Sequence, residues 1–301
     1  MLNWEGVNVL EVKELCKTID RTAILQDISF SIVPGTITGI IGRNGAGKTT
    51  LLRTMSGILL PDSGEVCCQG QNIHTRPEVK VNILFIPDTK NLLLNYTPLQ
   101  FSRLYALIYP NFDQAAFAGW LEQFRLPVNQ KVRYFSKGMK SLFYLSLAFA
   151  ARTEAVLLDE PTEGLDPIFK KECLKLIVQE VAERKPAVLI SSHRLEELQA
   201  ICDQVIFLRN GTIELVTDLM TMQERYQKLQ AVYQEGLPDN IKSRGNVRVL
   251  SQSGRVYTLL VEGDLRQTRE QLEASGPILL EDLPLSLEDL FVSKLGGDDL
   301  V

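Results

Sequence analysis

One run of eight residues constrains this chain more than anything else in it: Gly42-Arg43-Asn44-Gly45-Ala46-Gly47-Lys48-Thr49 fits the pattern GxxxxGK[ST]. In such a run the backbone N–H groups curl around phosphate oxygens, and glycine lets the backbone come close to the anion. With average composition the pattern arises by chance in about one chain in a hundred of this length. Its surroundings strengthen it. Thr36–Ile41 reads as a strand, and Lys48 to Gly57 has Leu51, Leu52 and Met55 at helical spacing before a glycine stop. Strand, loop and helix in that order are the context a phosphate loop needs. The loop is expected to run from Gly42 to Thr50, with Lys48 reaching the outer phosphates and the Thr49 hydroxyl on a magnesium ion.

A second segment belongs with it. Ala155-Val156-Leu157-Leu158-Asp159-Glu160 is an apolar strand ending in two acids. In open α/β folds ligands bind outside the carboxyl ends of the strands, so these carboxylates fall where bound phosphates would need them. Asp159 is the expected magnesium partner and Glu160 the expected general base for an attacking water.

The rest of the chain supplies a frame for these parts. Val7–Val12 and Ile28–Val33 read as strands, with Pro34-Gly35 turning the chain into the strand before the loop. From Pro98 to Ala151 the pattern is helical, with Phe101, Leu104, Tyr105 and Ile108 on one face and Phe117, Leu121 and Phe124 on another. Short strands return at Ala155–Asp159, Ala187–Ser191 and Val205–Leu208, with helices at Phe169–Glu183 and Leu195–Ala200, which suggests parallel βα units. Asn210-Gly211 marks a hairpin. Beyond about Gly236 come a hairpin (Val247–Leu250, Val256–Val261), a helix (Leu265–Ala274) and a leucine-rich tail ending near Phe291.

Composition excludes some functions. The 32 basic and 37 acidic side chains leave a net charge of −5, so no global positive field holds nucleic acid or an anionic membrane. Five cysteines without CxxC spacing read as reduced thiols. The start, MLNWEGVNVLEVKEL, carries acids where an export signal needs a basic beginning and an apolar block. The longest uncharged apolar stretch, Ser141 to Ala151, is far short of the ~20 residues of a membrane-spanning helix.

Together these segments resemble the nucleotide-binding subunit of an ATP-binding-cassette (ABC) transporter over roughly residues 5–220. Three further stretches carry the likeness. Phe135-Ser136-Lys137-Gly138-Met139-Lys140 resembles the signature LSGGQ in a variant form seen in bacterial export-type subunits, with Ser136 and Gly138 keeping the pattern. Ser136 can cap the helix bearing Leu142, Leu145 and Phe149, so that the positive end of its dipole faces an anion. The resemblance makes that anion the γ-phosphate held by the opposite protomer. Pro161-Thr162-Glu163-Gly164-Leu165-Asp166-Pro167 is similar to the D-loop, which implies Asp166 at a dimer interface; Glu163 stands where a small residue is more usual. Ser191-Ser192-His193, after a strand and ahead of Cys202-Asp203 and Asn210-Gly211, is similar to the switch region, which implies that His193 contacts the γ-phosphate and helps orient water.

The resemblance implies an α/β fold: a P-loop NTPase core over 1–225 with an antiparallel β subdomain and an inserted helical subdomain at about 95–152, then a small α+β accessory domain over 236–301. It implies ATP and Mg²⁺ as cofactors and ATP hydrolysis coupled to transport. The partners it implies are an integral membrane permease and a second ATP-binding subunit, identical or related, at the inner face of the cell membrane; no nucleic acid is expected. The variant signature, single cassette and extra module resemble bacterial exporters. A soluble cassette ATPase with a non-membrane partner, and a nucleotide-gated regulatory subunit with negligible turnover, remain open at this point. Two positions depart from the family. Ile19 falls where an adenine-stacking aromatic is usual, leaving stacking to another residue such as Trp4, and Asp88 falls where a glutamine senses the metal and the permease. Asp88 is shorter and charged, able to draw on Mg²⁺ or to pair with a basic permease residue.

Overall fold

The computed structural model describes residues 8–88 and 93–295; Trp4 and Val7 lie outside the described residues. The chain divides into two compact units. One runs to Arg194 and includes Ile201–Glu214; the other takes Leu195–Ala200 and the chain from Leu215 onward.

In chain order the elements begin with β1 (Leu10–Ile19), β2 (Thr22–Ile32), β3 (Ile37–Ile41), α1 (Lys48–Met55), β4 (Ser63–Cys68), β5 (Gln71–Asn72) and β6 (Ile83–Ile86). The helices α2 (Pro98–Ile108), α3 (Gln114–Gln123) and α4 (Lys137–Ala150) follow. Then come β7 (Ala155–Asp159), α5 (Pro167–Arg184), β8 (Ala187–Ser191), α6 (Leu195–Ile201), β9 (Gln204–Arg209) and β10 (Thr212–Asp218). The chain continues with α7 (Met222–Arg225), β11 (Tyr226–Val232), α8 (Asp239–Lys242), β12 (Val247–Ser253), β13 (Val256–Glu262), α9 (Leu265–Ala274), β14 (Leu279–Leu283) and α10 (Leu287–Leu295).

Three sheets result, with orders β2-β1-β4-β5, β10-β9-β3-β8-β7-β6 and β12-β13-β11-β14. The first is antiparallel. Its β1–β2 hairpin, longer than the two separate strands expected, closes through Asp20 and Arg21, both at positive φ (48° and 65°). Two residues at positive φ match the twist of the flanking strands, but Asp-Arg lacks the glycine that usually announces such a turn. Register shifts after Val12 and Leu15 also break the alternation by which a long strand is recognised. By contrast, Asn210-Gly211 adopts the same positive-φ turn (48° and 81°) between β9 and β10, as expected.

The second sheet positions the site. β3, β6, β7, β8 and β9 run parallel, and every residue of β3, β7 and β8 is buried, which explains their unbroken apolar sequences. Because β3 lies between β8 and β9, neither its neighbour in sequence, the loop after it opens at a point where strand order reverses. In register, Asp159 of β7 lies beside Ser191 of β8, and Ser191 beside Ile40 of β3. β6, too short to show a period, was not expected as a strand; it pairs with β7 and carries Asp88 just beyond its end.

The helical segment holds together through aromatic edges. Phe143 of α4 meets Phe101 at 5.1 Å, Phe117 at 6.0 Å and Phe135 at 5.9 Å between ring centres, all near-perpendicular. Thr97 and Gln100 form a reciprocal cap at the start of α2, and Asp113 caps α3. The apolar run Ser141–Ala151 is core of the first unit, and among the described residues no helix is long and apolar enough to cross a membrane. All five cysteines are free thiols.

The second unit packs its own core around Leu229, Leu259, Val261 and Leu272. Its third sheet is centred on β13 and β11, and β11 pairs with both β13 and β14. β11 therefore precedes residue 236, where the accessory domain was expected to start; its pairing partners are distant in sequence. Within the same unit, Leu287 N–H donates to Gln199 of α6 at 2.9 Å, joining 195–200 to this module rather than to the chain around it.

Candidate functional site

The loop after β3 is shaped by three glycines. A methyl group at Gly42 would lie 2.6 Å from the Leu208 carbonyl oxygen of β9, so the backbones approach too closely for any side chain. Gly45 and Gly47 take φ of 83° and 105°. Gly47 also stands at the N-cap of α1 and provides no side-chain cap, so the first N–H groups of that helix face the loop's concavity. Lys48, 8% exposed, folds back and donates from Nζ to the carbonyls of Gly42 at 2.7 Å and Arg43 at 3.3 Å. The Ala46 N–H donates to the same Arg43 carbonyl at 3.1 Å, closing the turn. The loop borders a cavity of about 380 Å³ lined by Asn44, Gly45, Ala46, Gly47, Lys48, Thr49 and Thr50, with Ile24, Asp88 and Glu160.

Asp159, 1% exposed, is held by two hydroxyls: Thr49 donates to Oδ2 at 2.8 Å and Ser191 to Oδ1 at 2.6 Å. A hydroxyl and a carboxylate at the foot of an anion-binding loop are hard oxygen donors of the kind Mg²⁺ takes, so these residues fit that ion. Glu160 leaves the strand at φ 46°, a left-handed conformation rare for a side-chain-bearing residue. Its N–H donates to both the carbonyl and the hydroxyl of Ser191, each at 3.1 Å, which holds the twist in place. The carboxylate meets His193, with Nδ1 3.0 Å from Oε2. On the other side of the ring, Nε2 lies 3.2 Å from Glu163 Oε2, a contact of ion-pair length that is off the line of a hydrogen bond.

Burial pushes the Glu160 carboxyl above its ordinary value, and the charges of His193 and Lys48 oppose that rise. Burial likewise lowers the Lys48 ammonium, opposed by Glu160 and Asp159. A carboxylate with raised proton affinity beside an imidazole, facing an anion cradle, can take a proton from a water at the far end of a bound phosphate chain.

Lys48, Thr49, Thr50, Asp88 and Glu160 thus share one cavity, with Asp159 bonded to Thr49 and His193 to Glu160. Ser136, Gly138 and Asp166 are not among the described residues that line it. Ser136 caps α4, accepting from Met139 N–H at 3.2 Å, and Asp166 caps α5, accepting from Ile168 and Phe169 N–H at 3.0 and 3.1 Å. Gly138 is buried under the Phe169 ring, which a methyl group there would strike. Ile19 sits 38% exposed at the end of β1, and the aliphatic wall of the cavity is Ile24. Ile24, the bond from Ser191 to Asp159 and the contact of Glu163 with His193 were not foreseen. For Ser191 a signal existed: a hydroxyl ending the strand after an acid-ended one falls beside that acid whenever the two strands are neighbours in register.

Comparison with known proteins agrees with this geometry. The sequence profile of the ABC transporter family matches residues 25–163. The ABC transporter ATP-binding protein YtrB of Bacillus subtilis is 36% identical over 289 residues, covering 96% of this chain and 99% of the relative. The bacitracin transport ATP-binding protein BcrA of Bacillus licheniformis is 30% identical over 309 residues, covering 96% and 98%. Among solved structures, an ATP-binding subunit of an ABC transporter aligns with a TM-score of 0.66 at 29% identity, over 72% of this chain and 92% of its own. With a near-complete match to YtrB and a phosphate loop built on the parallel sheet these cassettes share, the chain belongs to the ABC transporter family as an ATP-binding subunit, an ATPase.

Proposed function

We propose that this subunit hydrolyses MgATP at the Lys48–Glu160 cavity and, closing on a second ATP-binding subunit, drives a separate membrane permease, with export as the direction of transport. The observation that carries the reading is the joining of Thr49, Asp159 and Ser191 by bonds of 2.8 and 2.6 Å beside the Glu160–His193 pair. Binding exchanges the two carbonyls now held by Lys48 for phosphate oxygens, while the uncapped first turn of α1 and the glycines of the loop wrap the phosphate chain. Mg²⁺, when bound, neutralises phosphate charge; Thr49 and Asp159 hold it, and Asp88 borders the same cavity as a further oxygen. Glu160 accepts the proton of the attacking water, and His193 orients that water and contacts the γ-phosphate.

Ser136, Gly138 and Asp166 lie off this cavity, which supports a sandwich in which the capped end of α4 completes the site of a second copy or of a related subunit. The γ-phosphate then makes contacts that ADP cannot, and this differential affinity moves the permease between two states. The likeness to a bacitracin transport protein over 96% of the chain supports reading the second unit as part of a transporter subunit. Through its permease the subunit would sit at the inner face of the cell membrane, and its net charge of −5 gives nucleic acid no general hold.

Steady-state phosphate release tests the chemistry: Glu160→Gln should lower kcat by about 100-fold or more. Matching rates would remove Glu160 as the base. The same variant at saturating MgATP should elute as a dimer by size exclusion, and a monomer there would count against closure.

A further inference from the structure

The Glu163 side chain returns to the Glu160–His193 pair. The backbone folds back between them, Glu163 N–H donating to the Glu160 carbonyl at 3.2 Å, so the two carboxylates face opposite nitrogens of one ring. Glu163 Oε2 is shielded from water and makes no hydrogen bond; it faces His193 Nε2 at 3.2 Å. A buried carboxylate oxygen without a bond is costly, and such groups call for a reason. With Nδ1 on Glu160 and Nε2 facing Glu163, the ring has no nitrogen left for a phosphate.

The geometry points to Glu163 as a specificity-determining residue: its carboxylate lies, against His193 Nε2, where a γ-phosphate oxygen would. This rests on the proposed contact of His193 with the γ-phosphate. Both groups are anionic oxygens set against the same ring nitrogen, so they exclude one another. A nucleoside triphosphate must displace Glu163 to gain His193, whereas a diphosphate, lacking the outer group, leaves the contact in place. Glu163 therefore raises the threshold for triphosphate without touching diphosphate binding. Its side chain is about one-third exposed, enough to swing aside without unfolding the turn.

Equilibrium dialysis with the β,γ-imido analogue of ATP and with ADP, each with Mg²⁺, tests this on the full chain. Glu163→Ala should tighten the analogue roughly 3- to 10-fold and leave ADP unchanged, with Glu163→Gln intermediate. In a His193→Ala background the Glu163 substitution should have no effect, because the competed group is gone. Equal tightening of ADP would show a general charge effect and overturn the proposal, as would an unchanged or weaker analogue, or a gain that persists without His193. If His193→Ala alone leaves the preference for analogue over ADP intact, the γ-phosphate role of His193 falls and this proposal with it. If that preference drops while Glu163→Ala gains nothing, only the role of Glu163 falls.

Discussion

Ser191→Ala removes one of two hydrogen bonds from a carboxylate that is 1% exposed. Asp159 keeps the Thr49 hydroxyl on Oδ2 at 2.8 Å but loses the donor at 2.6 Å from Oδ1. Backbone pairing survives, since the Ser191 carbonyl still accepts from Glu160 N–H. The loss is therefore that of a bond to a charged group, about 2 kcal/mol, with little relief from water at so buried a position. For a first unit of about 200 residues that lowers the melting temperature by roughly 4–8 °C. Urea unfolding of the nucleotide-free protein, followed by tryptophan fluorescence, reads this unit alone because Trp4 and Trp120 both precede Arg194. The midpoint should fall with the slope unchanged. A change below about 0.5 kcal/mol would refute the reasoning, being the range of indifferent surface substitutions.

Burial holds the Glu160 carboxyl above its ordinary 4.5, and the base works only when unprotonated, so activity is lost as pH falls through a value above 4.5; an acid limb of kcat at or below 4.5 would contradict this. Arg152 pairs with Asp113 at 2.7 Å and with Glu180 at 3.1 Å, and the Glu180 side chain is 4% exposed. Arg152→Ala should cost about 3 kcal/mol by leaving that carboxylate buried with only Arg184 at 3.6 Å, and Glu180→Gln should cost less in the same unfolding assay. Gly42→Ala sets a methyl group against the backbone carbonyl of Leu208, which cannot swing aside, so dialysis should find ATP bound about 10-fold more weakly or worse.

Much of the site was legible before folding because its parts carry local signals. The glycines and Lys48 declare a phosphate loop, Asp159 and Glu160 end an unbroken apolar strand, and Ser136 precedes a helix it can cap. The β1–β2 hairpin escaped because Asp20-Arg21 reaches positive φ without glycine and because bulges interrupt its alternation. β6 and β11 escaped for a different reason. Four residues are too few to show a period, and β11 earns its place through partners in β13 and β14 that lie far along the chain.

The order of residues thus named the reactive groups, since a turn, a cap or a strand end depends on neighbours a few positions away. Which groups touch was settled by the strand order β3-β8-β7, which joins Thr49 to Asp159 across 110 residues and Ser191 to the same carboxylate across 32. The twist at Glu160 and the fold-back that sets Glu163 against His193 depend on the same packing. Hydrogen bonds and ion pairs act over a few ångströms of space, and linear spacing does not measure that distance.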